Sequence, residues 1–600
     1  MASSATARTA AVRRPLGPDR PLDALRCDIG GPEALTRVVS DHLGRLGAAV
    51  VRDEGREDIA LGGGGFAPVT ARTTWGPAGS GVEDEATAQA ATGVMAIHGR
   101  RHGAPRGLGV DYLATATGVL AVQGLLAGLV GQARGGPAAR VSTTADRAGL
   151  LAVSQYVAAA GADEPEAVDP APGGPPFTSA DGVLFELETL DPGAWAEFWR
   201  ALEAPADAIR AGWRPFQFRY ATACAPLPAG LHEVTRRHAW ARIRQAAALS
   251  GAEVCRLRTL AERAAEDDGA DPWTLRALDR GRPATVATPQ GGGTGGRALG
   301  GRAGRGGGGR RQAPRGAAPR GGGGARVVRI EPPGGDPLRG MPPACGGTSA
   351  RWLALNRGKE AVEIDIKAPG DRSRLRELVA GADVFVHNWA PGRAAALELD
   401  AEHLTAVNPS LVHAYTGGWA GRLADAPMGT DFMAQARTGA GEAVHPAGEP
   451  PVPSLMTLLD VLGGLHGTEA VLAGLLLRER TGRAVRVESS LLGAADTLLA
   501  PALRRAASGA DPRRPAGFRH PLRTSDGWIA PSDTCAPAAT AYDVSGLCTG
   551  DALDQLRGHG LAATAVTTDL AALHHDPRLS GPIGRDAHGA PAVPDPWSLA

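Results

Sequence analysis

The chain has 600 residues, enough for more than one domain, and its 63 Lys plus Arg are matched by 63 Asp plus Glu. That balance gives no global field to attract nucleic acid or an acidic surface. Six scattered cysteines form no CxxC pair, so they read as reduced thiols and exclude a disulfide framework or a cysteine zinc site. The N-terminus, MASSATARTAAVRRP, lacks an apolar core and reads as a disordered tail over residues 1–20, not a secretory signal.

From the N-terminus onward, HLGRLGAAVVRD (His42–Asp53) predicts one helix and one strand. The apolar run Ala114–Val130 contains Gly124-x-x-x-Gly128. It is short for a membrane span and carries two Thr and a Gln, so it reads as a buried helix. Gly291–Gly324 is Gly- and Arg-rich, with Leu299 its only large aliphatic residue. Such a composition predicts no packed element and early cleavage by trypsin at Arg302, Arg305, Arg310 or Arg311. Two readings of it stand: a flexible linker, or a stretch read out of frame. Its GxGxxG match at Gly291, Gly293 and Gly296 follows no strand and is not a dinucleotide loop.

Beyond the tract, strands are predicted at Arg326–Glu331, Ala361–Ile366, Ala382–His387 and Leu411–Tyr415, with helices at Gly370–Val379 and Pro391–Leu399. Alternating strands and helices predict a parallel α/β sheet. A long apolar helix follows, within Leu458–Arg486. Asp460 stands at its head, Gly463, Gly464 and Gly467 come next, and Arg478-Glu479-Arg480-Thr481-Gly482 stops it. A carboxylate there faces the positive end of the helix dipole.

A shift of 346 positions aligns the chain with itself. Ala88-Gln89 falls on Ala434-Gln435, Gly118 on Gly464, Gly128 on Gly474, and Arg140-Val141 on Arg486-Val487. Phe177–Leu187 resembles Leu522–Ser532, and Gly251–Asp268 resembles Leu561–Pro577; both later segments are expected where the chain returns to its large domain. The units are unequal, because Asp460 maps onto Ala114. Asp111, three residues earlier, points elsewhere on a helical start, so the first unit is expected to lack a nucleophile. The expected divisions are a tail (1–20), a shortened inactive unit (21–278), the tract (279–325) and the unit with Asp460 (326–600).

Five motifs stand in order: VVRIEPPGGDPLRG (Val327–Gly340), LALNRGKEAVEIDIKAP (Leu353–Pro369), ADVFVHNWAPGRAAALEL (Ala382–Leu399), NPSLVHAYTGGWA (Asn408–Ala420) and GTDFMAQARTG (Gly429–Gly439). Together they resemble the class III CoA-transferases, the family of formyl-CoA and carnitine CoA-transferases and 2-methylacyl-CoA racemases. The resemblance implies a Rossmann-like parallel-sheet large domain plus a smaller α+β domain, here duplicated in tandem. Family subunits thread through each other, so the two units are expected to interlace within one chain or the whole chain to form a homodimer. The implied reaction moves CoA from an acyl-CoA thioester to a carboxylic acid, with CoA entering as substrate and no metal; the reduced thiols point to the cytoplasm, and the zero net charge and short apolar run to no nucleic-acid or membrane partner.

By the same resemblance, Asp460 is the nucleophile, Asp431 an acid near it, and the backbone at Gly463 and Gly464 an oxyanion site. Asn388 and Trp389 are implied CoA contacts, Asn356, Arg357 and Lys359 nucleotide contacts, and Arg329 and Arg339 phosphate partners. Ala394–Ala396 stand where the family often has a basic CoA contact. Racemases of the family carry a His where this chain has Thr430, which makes racemization the runner-up. A catalytically crippled CoA-binding homologue is the third reading. The sequence carries no signature for the acyl donor or acceptor.

Overall fold

A computed structural model describes residues 19–166, 170–266, 268–278, 297–301 and 325–600. The first half opens with strand β1 (Arg26–Ile29), helix α1 (Glu33–Arg45) and strand β2 (Ala49–Arg52), with β1 and β2 parallel. Strands β3 (Ile59–Gly63) and β4 (Phe66–Thr74) follow as an antiparallel pair. Then come α2 (Glu85–Ala91), α3 (Val94–Gly99), α4 (Tyr112–Ala133), β5 (Arg140–Thr144) and α5 (Ala145–Ala160). A small antiparallel sheet of β6 (Phe177–Thr178), β7 (Leu184–Glu188) and β8 (Glu253–Arg256) encloses α6 (Ala206–Thr222) in the chain. Strand β9 (Trp273–Ala277) closes this half.

The second half runs β10 (Arg297–Gly301), β11 (Arg326–Glu331), α7 (Ala350–Asn356), β12 (Glu360–Glu363), α8 (Pro369–Ala380), β13 (Val384–His387) and β14 (Val412–Gly417). It continues through α9 (Asp431–Thr438), α10 (Ala440–Ala443), α11 (Leu458–Thr481), β15 (Val485–Ser490) and α12 (Leu491–Ala507). A second small sheet, β16 (Leu522–Arg523), β17 (Trp528–Pro531) and β18 (Ala563–Ala565), precedes the last strand, β19 (Trp597–Leu599). The helices α2, α3, α4 and α5 begin 346 positions before α9, α10, α11 and α12, so the stretches aligned by sequence fold alike.

The expected parallel sheet is present: β12-β11-β10-β13-β14-β15, all parallel, with β9 added antiparallel at the edge. The strand expected at Ala361–Ile366 is shorter, at Glu360–Glu363, and the helix expected at Pro391–Leu399 is one turn, Arg393–Ala396. The first half's sheet has the order β2-β1-β3-β4-β5-β19. Its β3 runs antiparallel to both neighbours, so a hairpin replaces a helical crossover and accounts for the shortness of that half.

The closing strands are exchanged. β9, at the end of the first half, pairs with β15 of the second sheet, with Trp273 opposite Ser489 and Ala277 opposite Val485. β19, at the end of the second half, pairs with β5 of the first sheet, with Trp597 opposite Thr143 and Leu599 opposite Val141. This corrects the expectation that Gly251–Asp268 and Leu561–Pro577 mark a return to the large domain. Those segments supply the third strands of the small sheets, and the chain rejoins a large sheet only afterwards, in the opposite half.

The tract needs a second correction. Arg297–Gly301 forms β10, parallel to both β11 and β13 at the middle of the second sheet. Glycine brings no side chain to a strand but keeps both backbone ladder groups, and a flanked central position satisfies them. Residues 291–296 and 302–324, the four arginine cleavage points and the tail up to residue 18 lie outside the described residues.

The core lies where α4 and α11 pack on each other and on the two sheets. Both helices are long and apolar enough to cross a membrane, but 94% and 72% of their apolar windows are buried inside the protein, as expected for Ala114–Val130. Glycines set how closely they approach the strands. A Cβ on Gly124 would stand 2.3 Å from Val141 Cγ1, one on Gly128 2.7 Å from Val69 Cγ1, and one on Gly474 2.7 Å from Val487 Cγ2. Gly124→Leu should therefore lower stability by about 1–3 kcal/mol, the usual range for overpacking. Urea unfolding reads this, and an unchanged midpoint would show that the helix–strand contact is loose.

Candidate active site

Asp460 is the third residue of α11 and is 1% exposed. Thr457, at φ 57°, takes the left-handed conformation that turns the incoming loop into the helix. The carboxylate thus sits in the first helical turn, where unbonded N–H groups and the dipole favour negative charge.

A clamp fixes this turn. Asp431, at the start of α9, accepts the Asp460 backbone N–H at 2.6 Å and a second bond from Gln435 Nε2. Gln435 also holds the loop before α11, accepting from Ser454 N at 2.7 Å and donating to Ser454 O at 2.8 Å. Ser454 Oγ lies 2.9 Å from Nδ1 of His98, on α3 of the first half. Asp431 was expected as an acid near the nucleophile. It does cap a helix, α11 rather than its own α9, and it acts on Asp460 through the backbone.

The same clamp stands 346 positions earlier. Glu85 accepts the N–H groups of Leu113 and Ala114, each at 2.8 Å, and Gln89 bridges Glu85 to Leu108 N, again at 2.8 Å per bond. Here the clamp holds a methyl group, that of Ala114. Asp111 gives no substitute. Burial pushes its carboxyl up, but Arg519 at 2.8 Å and Arg514 at 3.2 Å outweigh this and hold it below the usual carboxylate range. A carboxylate so tightly paired is a poor nucleophile.

Asp460 lines a pocket built from both halves. Gln155 on α5 and Arg219 and Tyr220 on α6 come from the first; Met341, Arg351 and Trp352 come from the second. The two guanidinium groups are already paired, Arg219 with Glu188 at 3.0 Å and Arg351 with Glu166 at 2.6 Å. Sequence reading missed this contribution from the first half, because α6 belongs to a stretch with no motif.

Nearby, Glu186 is fully buried and neither carboxyl oxygen has a hydrogen-bond partner among the described residues. Burial raises its pKa to about 8, against the pull of Arg219. Its folded-state pKa lies above the unfolded value, so this carboxyl favours folding at low pH and costs stability as pH rises from about 4.5 to about 8. Glu186→Gln should therefore raise the melting temperature at pH 8.5 and change it far less at pH 5. An equal gain at both pH values would contradict the buried neutral acid.

The other expected site residues are placed differently. Gly463 and Gly464 lie in the second turn of α11, where N–H groups are spent on the helix ladder, so they are not oxyanion donors. Arg329 is buried among Glu331 at 2.9 Å, Asn356 at 2.7 Å and Asp336, which spends its donors inside the protein. Asn356 completes that network and donates to Trp352 O at 3.0 Å. Arg339 pairs with Glu331 and lies 3.7 Å above the Trp352 ring. Arg357 binds Val593 O and Asp595, tying down the C-terminal segment, and Lys359 Nζ donates to Leu355 O at 3.0 Å. Trp389 is 3% exposed and stacked on His387 within the core of the second half; its neighbour Asn388 is half-buried. The motifs singled out these residues but could not show that the chain itself occupies their donors. Among the described residues, no group of three or more His, Cys, Asp or Glu is arranged to hold a metal.

A parallel α/β sheet, a long buried helix headed by a clamped aspartate and a pocket lined by both halves make up the candidate site. The model of CoA-transferase family III matches residues 69–293 and 321–548, most of the chain, and the chain belongs to that family. It is similar to acetyl-CoA:oxalate CoA-transferase of Acetobacter aceti, 35% identical over 35% of this chain and 53% of that protein. It is also similar to human succinyl-CoA:glutarate CoA-transferase, 33% identical over 28% of this chain and 39% of that one. The chain thus spans about half the length, or less, of these curated relatives. A CAIB/BAIF family protein from Brucella suis of known structure aligns with 50% of this chain and 90% of its own, at 24% identity and a TM-score of 0.42.

Proposed function

We propose that the chain transfers CoA from an acyl-CoA to a carboxylic acid, using Asp460 as nucleophile. An Asp460 carboxylate oxygen attacks the thioester carbonyl, the C–S bond breaks, and CoA leaves as the thiolate. The product on the protein is a mixed anhydride. The acceptor carboxylate attacks the Asp460 carbonyl of the anhydride and displaces the donor's carboxylate; the CoA thiolate then attacks the acceptor's acyl carbon, forming the new thioester and freeing the Asp460 carboxylate. One observation carries this reading: Asp460 is a nearly water-free carboxylate whose helix turn is fixed by Asp431 and Gln435 and which faces a pocket between the two halves. Poor solvation and fixed aim are what make a carboxylate nucleophilic. The curated relatives named as CoA-transferases support the same chemistry.

In this reading the chain is two family units in tandem, interlaced by exchange of β9 and β19, and works as an intrachain pseudo-dimer with one active centre. The first unit supplies the pocket wall and no nucleophile. Racemization is disfavoured because Thr430, fully buried, stands where an imidazole base would be needed. Incubation with an acyl-CoA and a panel of free carboxylic acids, read by mass spectrometry, should yield the acyl-CoA of at least one added acid. Deuterium wash-in at the α-carbon of a 2-methylacyl-CoA, with no new thioester, would favour the racemase instead.

A further inference from the structure

We propose that the blind counterpart of the active centre, at the start of α4, is a binding site for an oxyanion, either a carboxylate or a phosphate group. Where α11 presents Asp460, α4 presents Ala114 and, just before it, Asp111. Three guanidinium groups converge on that single carboxylate: Arg519 at 2.8 Å, Arg514 at 3.2 Å and Arg37 at 3.9 Å. Arg519 has a second carboxylate, Asp533, at 2.6 Å. Arg37 and Arg514 have, among the described residues, only Asp111 within ion-pair distance.

The shortfall is clearest at Arg37. Its Nη2 is buried and has no hydrogen-bond partner among the described residues. A buried cationic donor without an acceptor is costly, and an oxyanion relieves that cost with a charge-assisted hydrogen bond. Two more arginines, Arg504 and Arg505 in the last turn of α12, stand close enough to act on the cluster. Burial, then Asp111 in the opposite sense, then Arg504 set the balance at Arg37, whose pKa is lowered. Burial and the neighbouring Arg514 lower Arg505 as well. Arg37, Arg504, Arg505 and Arg514 thus share Asp111 and the exposed Asp511, four cations against two anions. Glu85 also pulls on Arg37, but burial raises its own pKa to about 7, so near neutral pH it offsets only part of that excess.

This excess is local, since the chain as a whole has no net charge. The elements that converge here (α1, the start of α4, the end of α12 and the loop after it) come from both halves, so the site depends on their interlacing. It does not depend on the transfer chemistry proposed for Asp460.

Isothermal titration of the full chain with inorganic phosphate, and separately with acetate, at ionic strength held constant with sodium chloride, tests the proposal. At least one probe should bind saturably at one site per chain. Phosphate alone would assign a phosphate-bearing ligand, and acetate alone a carboxylic acid. Arg37→Gln and Arg504→Gln should each weaken binding by about tenfold or more, the worth of one charge-assisted hydrogen bond. Arg504 is exposed, so Arg504→Gln keeps the test valid if Arg37→Gln disturbs folding. Asp460→Asn should leave the affinity within about twofold, within ordinary non-additivity for separate sites. No saturable binding of either probe, or equal affinity in wild type and both arginine variants, would overturn the proposal.

Discussion

Asp460→Ala is expected to reduce CoA transfer to background, a loss of more than about 10⁴-fold, in the range seen when a covalent nucleophile is removed. The reasons are local. The substitution removes the one carboxylate of the first turn of α11 and leaves the rest of its frame in place. Asp431 bonds the backbone N–H of residue 460, not its side chain, so the clamp survives. Alanine is also the best helix former, so α11 should hold. Melting temperature and far-UV spectra should therefore match wild type while activity is lost. Transfer at the wild-type rate would remove Asp460 from the mechanism.

The second large effect concerns architecture. A chain cut at a protease site engineered between residues 302 and 324 should elute from a sizing column as one particle. Separate elution of two fragments without denaturant would contradict the interlaced fold. The halves are joined by more than a tether. β9 gives five residues in register to the second sheet, and β19 gives three to the first. Between them α4 and α11 pack along most of their length, and Tyr112 OH donates to Leu458 O at 3.0 Å across the interface. Gln123 Nε2 donates to Leu465 O at 2.8 Å in the same seam. Separation requires exposing this apolar surface and opening two strand ladders, which buried area at about 25 cal/mol per Å² makes prohibitive in water.

Much of this was legible in the sequence, and the reasons are specific. The 346-residue shift was readable because Gly128 and Gly474 must be small against Val69 and Val487, and because Gln89 and Gln435 serve the same clamp. The head of α11 was legible through the five ordered motifs of the family resemblance, since an acid before glycines is by itself equally an ordinary helix cap. Strand exchange was not, because β9 and β19 are short and nothing in TLRA or WSL says which sheet they join. β10 was hidden because a strand flanked on both sides can consist of residues with no β preference. The expected ligand contacts failed for a different reason. Arg329 was placed on its strand, and Arg357 and Trp389 only within motifs, but sequence spacing does not show that Asp336, Asp595 and His387 already engage them. The pocket wall from α6 was invisible because Arg219 and Tyr220 lie far before Asp460 in the chain, in an unpatterned stretch.

The central claim is that Asp460 carries the acyl group. Acyl-CoA mixed with the full chain and hydroxylamine, with no acceptor acid, should convert Asp460 to a hydroxamate. Peptide mass spectrometry should then find that adduct within Leu458–Arg478 and nowhere else. An adduct mapping to Asp111 or Asp431, or Asp460 left unmodified by a preparation that transfers CoA once an acceptor acid is added, would contradict the account.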